Sequence, residues 1–161
     1  MKNTKKLTLL GMSAALALIL SYIEAQLPSI GVPGAKIGLA NIAIVFVLYR
    51  IGWKEAFAVS FIRILVISFI FWNFIALAYS IAGAAFSLAV MGMLKKTGVF
   101  SVVGVSVAGG VCHNIGQIIM AALIMGTAQI AFYLPVLILT GVTAGIAIGL
   151  TAALLVKYVK L

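Results

Sequence analysis

The chain is a succession of apolar runs, most about as long as a bilayer crossing, and its charged side chains stand almost entirely at the ends of those runs. That pattern constrains the fold more than any motif in the sequence. A hydrocarbon core of about 30 Å takes roughly 20 apolar residues in helical form. In lipid every backbone polar group must be satisfied internally, which leaves helices or closed barrels. The 161 residues are 65% hydrophobic and 8% charged, against roughly 25% charged in soluble domains, so a soluble fold is excluded. The runs predict helices over residues 7–27, 35–50, 54–71, 73–94, 100–125 and 129–156. Pro28 closes the first, and Pro33 with Gly34 opens the second. The start of the chain resembles a signal peptide, but its apolar stretch is too long for a typical h-region; it is expected to be retained as the first transmembrane helix.

The cations set the orientation. Lys2, Lys5, Lys6, Arg50, Lys54, Lys95, Lys96, Lys157 and Lys160 fall on the side of the N-terminus, and Lys36 alone falls in an opposite loop. Under the positive-inside rule this predicts an all-α integral membrane protein. Its form is a single domain of six transmembrane helices over residues 1–161, in the cell membrane, with both termini cytoplasmic. The net charge of +9 therefore reads as membrane topology and membrane-lipid contact, and a nucleic-acid partner is excluded on that ground.

Chemistry is bounded by what is missing. The acids are Glu24 and Glu55, with no aspartate, and Cys112 is the one cysteine. A disulfide framework and a thiolate metal cluster are excluded. One histidine, one cysteine and two scattered glutamates match no metal-ligand spacing, and no P-loop is present. Prenyl-diphosphate transfer needs carboxylates to hold Mg²⁺, which this chain lacks. No cofactor and no catalytic residue are expected; the chain reads as a transporter or accessory subunit rather than an enzyme.

Arg63 breaks the pattern, lying inside the apolar run from Phe57 to Phe71. A cation near bilayer depth is costly and faces a partner or a watery pocket. On the fifth run His113, Asn114 and Gln117 share or nearly share a face, and so should point inward. Helical rise puts Arg63 about 14 Å from Lys54 and His113 about 20 Å from Phe100. Glu24, Asn41 and Gln117 fall in the same outer half, with Lys36 at the outer mouth. Five residues from four helices at similar depth is what a pocket open to the outside requires. A site with Arg63, Lys36 and His113 beside one acid favours an anionic or strongly polar small molecule. Two blander readings stay open: an interhelical hydrogen-bond cluster on the fifth helix, and a structural ion pair of Glu24 with Arg63 or Lys36. Tyr22, Trp72, Tyr79 and Tyr133 suit either the pocket or the interfacial belt.

Small residues permit close helix contact in lipid. Gly141, Gly145 and Gly149 form a ridge on the sixth helix, read as internal packing. On the first helix Gly11 with Ala15, and Ser13 with Ala17, suit either internal packing or docking of a partner subunit.

Pro33, Lys36, Gly38 and Asn41, then Lys54, Glu55 and Arg63, then Tyr79-Ser80-x-x-Gly83, His113-Asn114-x-Gly116-Gln117 and Tyr133-Leu134-Pro135 together resemble a bacterial membrane family. It is named both heptaprenyl diphosphate synthase component I and Gx transporter. That family in turn looks like the substrate-binding S components of energy-coupling factor (ECF) vitamin transporters. The resemblance implies a six-helix bundle that captures a substrate in its outer half, beneath the loop between helices 1 and 2. It also implies docking through a small-x-x-x-small motif, here Gly11 and Ala15, to a coupling subunit served by cytoplasmic ATPases. Expected ligand-binding residues are Arg63, His113, Asn114, Gln117, Lys36, Asn41, Glu24 and Tyr79. The competing expectation is a non-catalytic accessory subunit of heptaprenyl diphosphate synthesis.

Overall fold

The computed structural model describes residues 3–27 and 37–159. Among them are six α-helices and no strand: α1 (Asn3–Gln26), α2 (Asn41–Arg50), α3 (Trp53–Ile70), α4 (Phe74–Thr97), α5 (Val102–Met125) and α6 (Leu134–Tyr158), with a 3₁₀ helix, Ala128–Tyr133, leading into α6. Local chemistry sets several ends. Asn73 Oδ1 accepts from Ala76 N at 2.8 Å and Ser101 Oγ from Gly104 N at 3.1 Å, each satisfying an otherwise orphaned N–H of a first turn.

Four segments are long and apolar enough to cross a membrane: Thr4–Gln26, Phe74–Thr97, Val102–Met125 and Ala128–Tyr158. This is the make-up of a multi-pass membrane protein. The other two helices differ for separate reasons. α3 has the length but carries Lys54, Glu55 and Arg63. α2 has 10 residues, about 15 Å of rise, or half a hydrocarbon core.

Two boundaries move furthest. The second helix was expected from residue 35 but starts at Asn41, behind a turn in which Gly38 takes φ +77°, a left-handed conformation that side chains disfavour. The carbonyls of Gly38, Leu39 and Ala40 accept from the N–H groups of Asn41, Ile42 and Ala43, so the helix starts without a side-chain cap. The sixth helix was expected from residue 129 but starts at Leu134, where Pro135 occupies the first turn, the place a proline suits.

The helices close a ring in the order α1, α3, α4, α5, α6, α2, in which α2 also touches α3 and α5. α2 is the inner element, with every side chain from Ala43 to Leu48 buried. The α5–α6 seam is drawn tight by the glycine ridge. A Cβ on Gly141 would lie 3.0 Å from Gly110 O, and one on Gly145 would lie 2.6 Å from Val107 Cα. The ridge therefore serves internal packing. On α1, Ser13 and Ala17 are buried while Gly11 and Ala15 face outward, with open space around Gly11.

The cation-rich end is stitched shut. Lys6 is paired with Glu55 across α1 and α3. Arg50 donates to the carbonyls of Val156 and Val159 at the end of α6, and Lys95 to that of Leu48 near the end of α2. Both cations meet the negative ends of helix dipoles. Trp53 Nε1 donates to Leu88 O at 2.8 Å. The opposite half of the bundle is hollow.

Candidate functional site

A cavity of about 500 Å³ opens in that half, lined by side chains from all six helices. The volume lies in the ordinary range for small-molecule sites, roughly 300–1,000 Å³. Seven of the eight expected ligand-binding residues line it: Glu24, Asn41, Arg63, Tyr79, His113, Asn114 and Gln117. The eighth, Lys36, lies outside the described residues. The grouping follows from the fold. The C-terminal halves of α1, α3 and α5 and the N-terminal halves of α2, α4 and α6 meet at one end, and each polar residue sits on the inner face of its own helix.

The helices hold these groups in different ways. Arg63 reaches from α3 to α1, where Nη1 donates to Ser21 Oγ at 3.4 Å, while its buried Nε meets no hydrogen-bond partner. Glu24 Oε1 accepts from Gly38 N, which fastens the last turn of α1 to the turn before α2. The carboxylate is therefore part framework and part cavity wall. Of the two ion pairs left open for Glu24, the one with Arg63 does not form; the one with Lys36 falls outside the described residues.

On α5 the expected polar face is real, with Asn114 and Gln117 buried. Asn114 Nδ2 donates to Leu137 O on α6, close beside Gly141, where a Cβ would come within 3.0 Å of that nitrogen. Part of the cluster is thus an interhelical bond, as the blander reading had it. The imidazole of His113 lies against the backbone of α4, where a Cβ on Gly83 would fall 2.8–2.9 Å from three ring atoms.

Of the aromatic candidates, Tyr79 lines the cavity, whereas Tyr22, Trp72 and Tyr133 are outward-facing. Trp72 occupies the α3–α4 turn with φ 48° and is 78% exposed, the position of a belt residue. The cavity wall also holds Asn73, one of the few polar groups the apolar runs leave to partner Arg63, Ser80 of the Tyr79-Ser80 motif, and two serines that the sequence did not single out, Ser21 and Ser68. Ser21 could have been found from its spacing, three residues before Glu24 on one helix face. Among the described residues no three metal-ligating side chains come together.

The sequence pattern of heptaprenyl diphosphate synthase component I matches residues 13–155. The chain belongs to that family. No curated protein and no solved structure matches it at a significant level. Component I is the non-catalytic subunit, component II being the catalytic one, so this chain is not the prenyl-transferring enzyme itself. Its only acids are Glu24 and Glu55, at opposite ends of the bundle, and a Mg²⁺-diphosphate site needs grouped carboxylates. The region matched to component I contains every described cavity residue and Ala15; Gly11 lies just before it.

Proposed function

We propose that this component I chain is the substrate-binding membrane subunit of an importer. In this reading it forms one domain that crosses the plasma membrane six times, with both termini cytoplasmic. It takes up a small polar or anionic metabolite, such as a vitamin or a quinone or isoprenoid precursor. An ECF-type coupling subunit, docked on the outward face of α1 at Gly11 and Ala15, and cytoplasmic ATPases supply the energy. The observation that carries the reading is the cavity: one end of the bundle is locked by side-chain bonds, and the other holds a pocket with Arg63 in its wall. Arg63 binds the ligand with His113, Asn114, Gln117, Asn41 and Tyr79, and Lys36 assists from the mouth. Arg63→Ala is expected to keep its thermal midpoint in detergent and to lose the small molecule that native mass spectrometry finds on the purified wild type. Undiminished occupancy in the variant overturns the assignment.

A second reading is supported by the family itself: an accessory subunit that holds a prenyl diphosphate for a soluble catalytic partner, with Arg63 and Lys36 on the phosphates. Size weighs against it, because a seven-isoprene chain is long for a cavity of about 500 Å³. Affinity purification from membranes separates the two. Co-purifying ATPase subunits support import, and a co-purifying soluble prenyl synthase supports the accessory role.

A further inference from the structure

The wall of the cavity contains two full charges of opposite sign, Arg63 from α3 and Glu24 from α1, and no other Lys, Arg, Asp or Glu among the described residues. Opposite charges taken out of water repay their desolvation by close contact with each other. Here they do not make it. Arg63 reaches α1 but meets Ser21, about one turn short of Glu24, while Glu24 is turned to Gly38 N. Arg63 Nε is buried without a partner, and Glu24 has an oxygen beyond the one bonded to Gly38. The rest of the wall is His113, uncharged hydrogen-bonding groups such as Asn41 and Gln117, and apolar side chains such as Ile64, Ile67, Phe71 and Ile148.

A simple anion fits this wall poorly. It would pair with Arg63 but stand beside the Glu24 carboxylate of the same wall, and like charges in one site repel. A molecule with both charges satisfies both groups at once. We infer that the ligand is a compact zwitterion, its acid group on Arg63, its amine on Glu24, and its apolar body against the isoleucines and Phe71. This rests on the reading of the cavity as a substrate site and narrows the ligand class within it.

The test uses matched trios of probes on the full chain in detergent: an amino acid, its deaminated acid and its decarboxylated amine. Phenylalanine, 3-phenylpropanoate and phenethylamine form one trio; leucine, 4-methylpentanoate and isoamylamine form another. At least one amino acid is expected to raise the thermal midpoint, with both of its half-molecules about tenfold weaker or worse. Glu24→Gln keeps an oxygen for Gly38 N and removes only the charge; it and Arg63→Gln are each expected to weaken the amino acid about tenfold or more. If the deaminated acid binds as well as its amino acid, or Glu24→Gln strengthens it, the site is an anion site with Glu24 serving the framework. The zwitterion inference then falls while the importer reading stands. If no member of either trio shifts the midpoint, the inference is also overturned, and the co-purification experiment judges the importer reading separately. Should a variant fail to fold, the trios on the wild type still decide.

Discussion

One methyl group at position 83 governs where the His113 ring lies. A Cβ there would meet Cε1, Nδ1 and Nε2 of the imidazole at 2.8–2.9 Å, inside any real carbon contact, and α4 and α5 are closely packed here, since a Cβ on Gly116 would fall 2.7 Å from Ala82 O. Gly83→Ala is therefore expected to push the ring towards the cavity and weaken ligand binding about tenfold or more. The chain has one histidine, so its imidazole resonances in NMR report the displacement directly. Gly83→Ala with His113→Ala should recover the thermal midpoint without recovering binding. Unchanged histidine resonances in the single variant would refute this account. At this scale much of the site was legible: Arg63, His113 and Gln117 stand out as polar groups that an apolar helix must turn inward. The contact of Gly83 with His113 was not, because it depends on the register of α4 against α5. Nor was the choice of Ser21 over Glu24 by Arg63, which depends on side-chain reach.

Helix contacts in lipid are governed by shape, since lipid tails give apolar side chains no reason to prefer protein. The α5–α6 seam illustrates this. At Gly145 an added Cβ would collide with Val107 Cα at 2.6 Å and with Ser106 O at 3.1 Å, and backbone atoms have no alternative rotamer. Gly145→Ala is expected to lower stability by about 1–3 kcal/mol, read as a fall in thermal midpoint in detergent. Gly11→Ala, with nothing within 4 Å, should leave it unchanged. Equal effects at the two positions would mean that the seam is looser than its geometry. The ridge was legible because glycines four apart on a helix share a face. The start of α2 was not: residues 37–40 are as apolar as the helix that follows, and only the left-handed Gly38 with the Glu24 bond to its N–H separates them. A long-range bond of that kind leaves no periodic trace in sequence.

The molecule as a whole is polar along its axis in two senses. Its described cations other than Arg63 collect at one end, where Lys6, Arg50 and Lys95 bond to a carboxylate and to helix-terminal carbonyls, while its cavity occupies the other. The cation asymmetry that predicts an orientation is thus also the asymmetry that closes one end of the bundle, and the apolar runs between those cations are what made the coarse all-helical architecture legible. Six crossings with both termini inside demand a definite pattern of accessibility. After Cys112→Ala removes the one native thiol, single cysteines at Gln26, Phe132 and Val99, each exposed at a helix end or connection, sample the two faces. A membrane-impermeant maleimide applied to intact cells is expected to label Gln26→Cys and Phe132→Cys, and to label Val99→Cys only after lysis. Labelling at Val99 in intact cells would reverse the orientation. Protection at Gln26 with labelling at Phe132 would break the alternation, leaving a different number of crossings between α1 and α6. Either result would also move the cavity mouth to the wrong side for import, so the orientation and the proposed direction of transport stand or fall together.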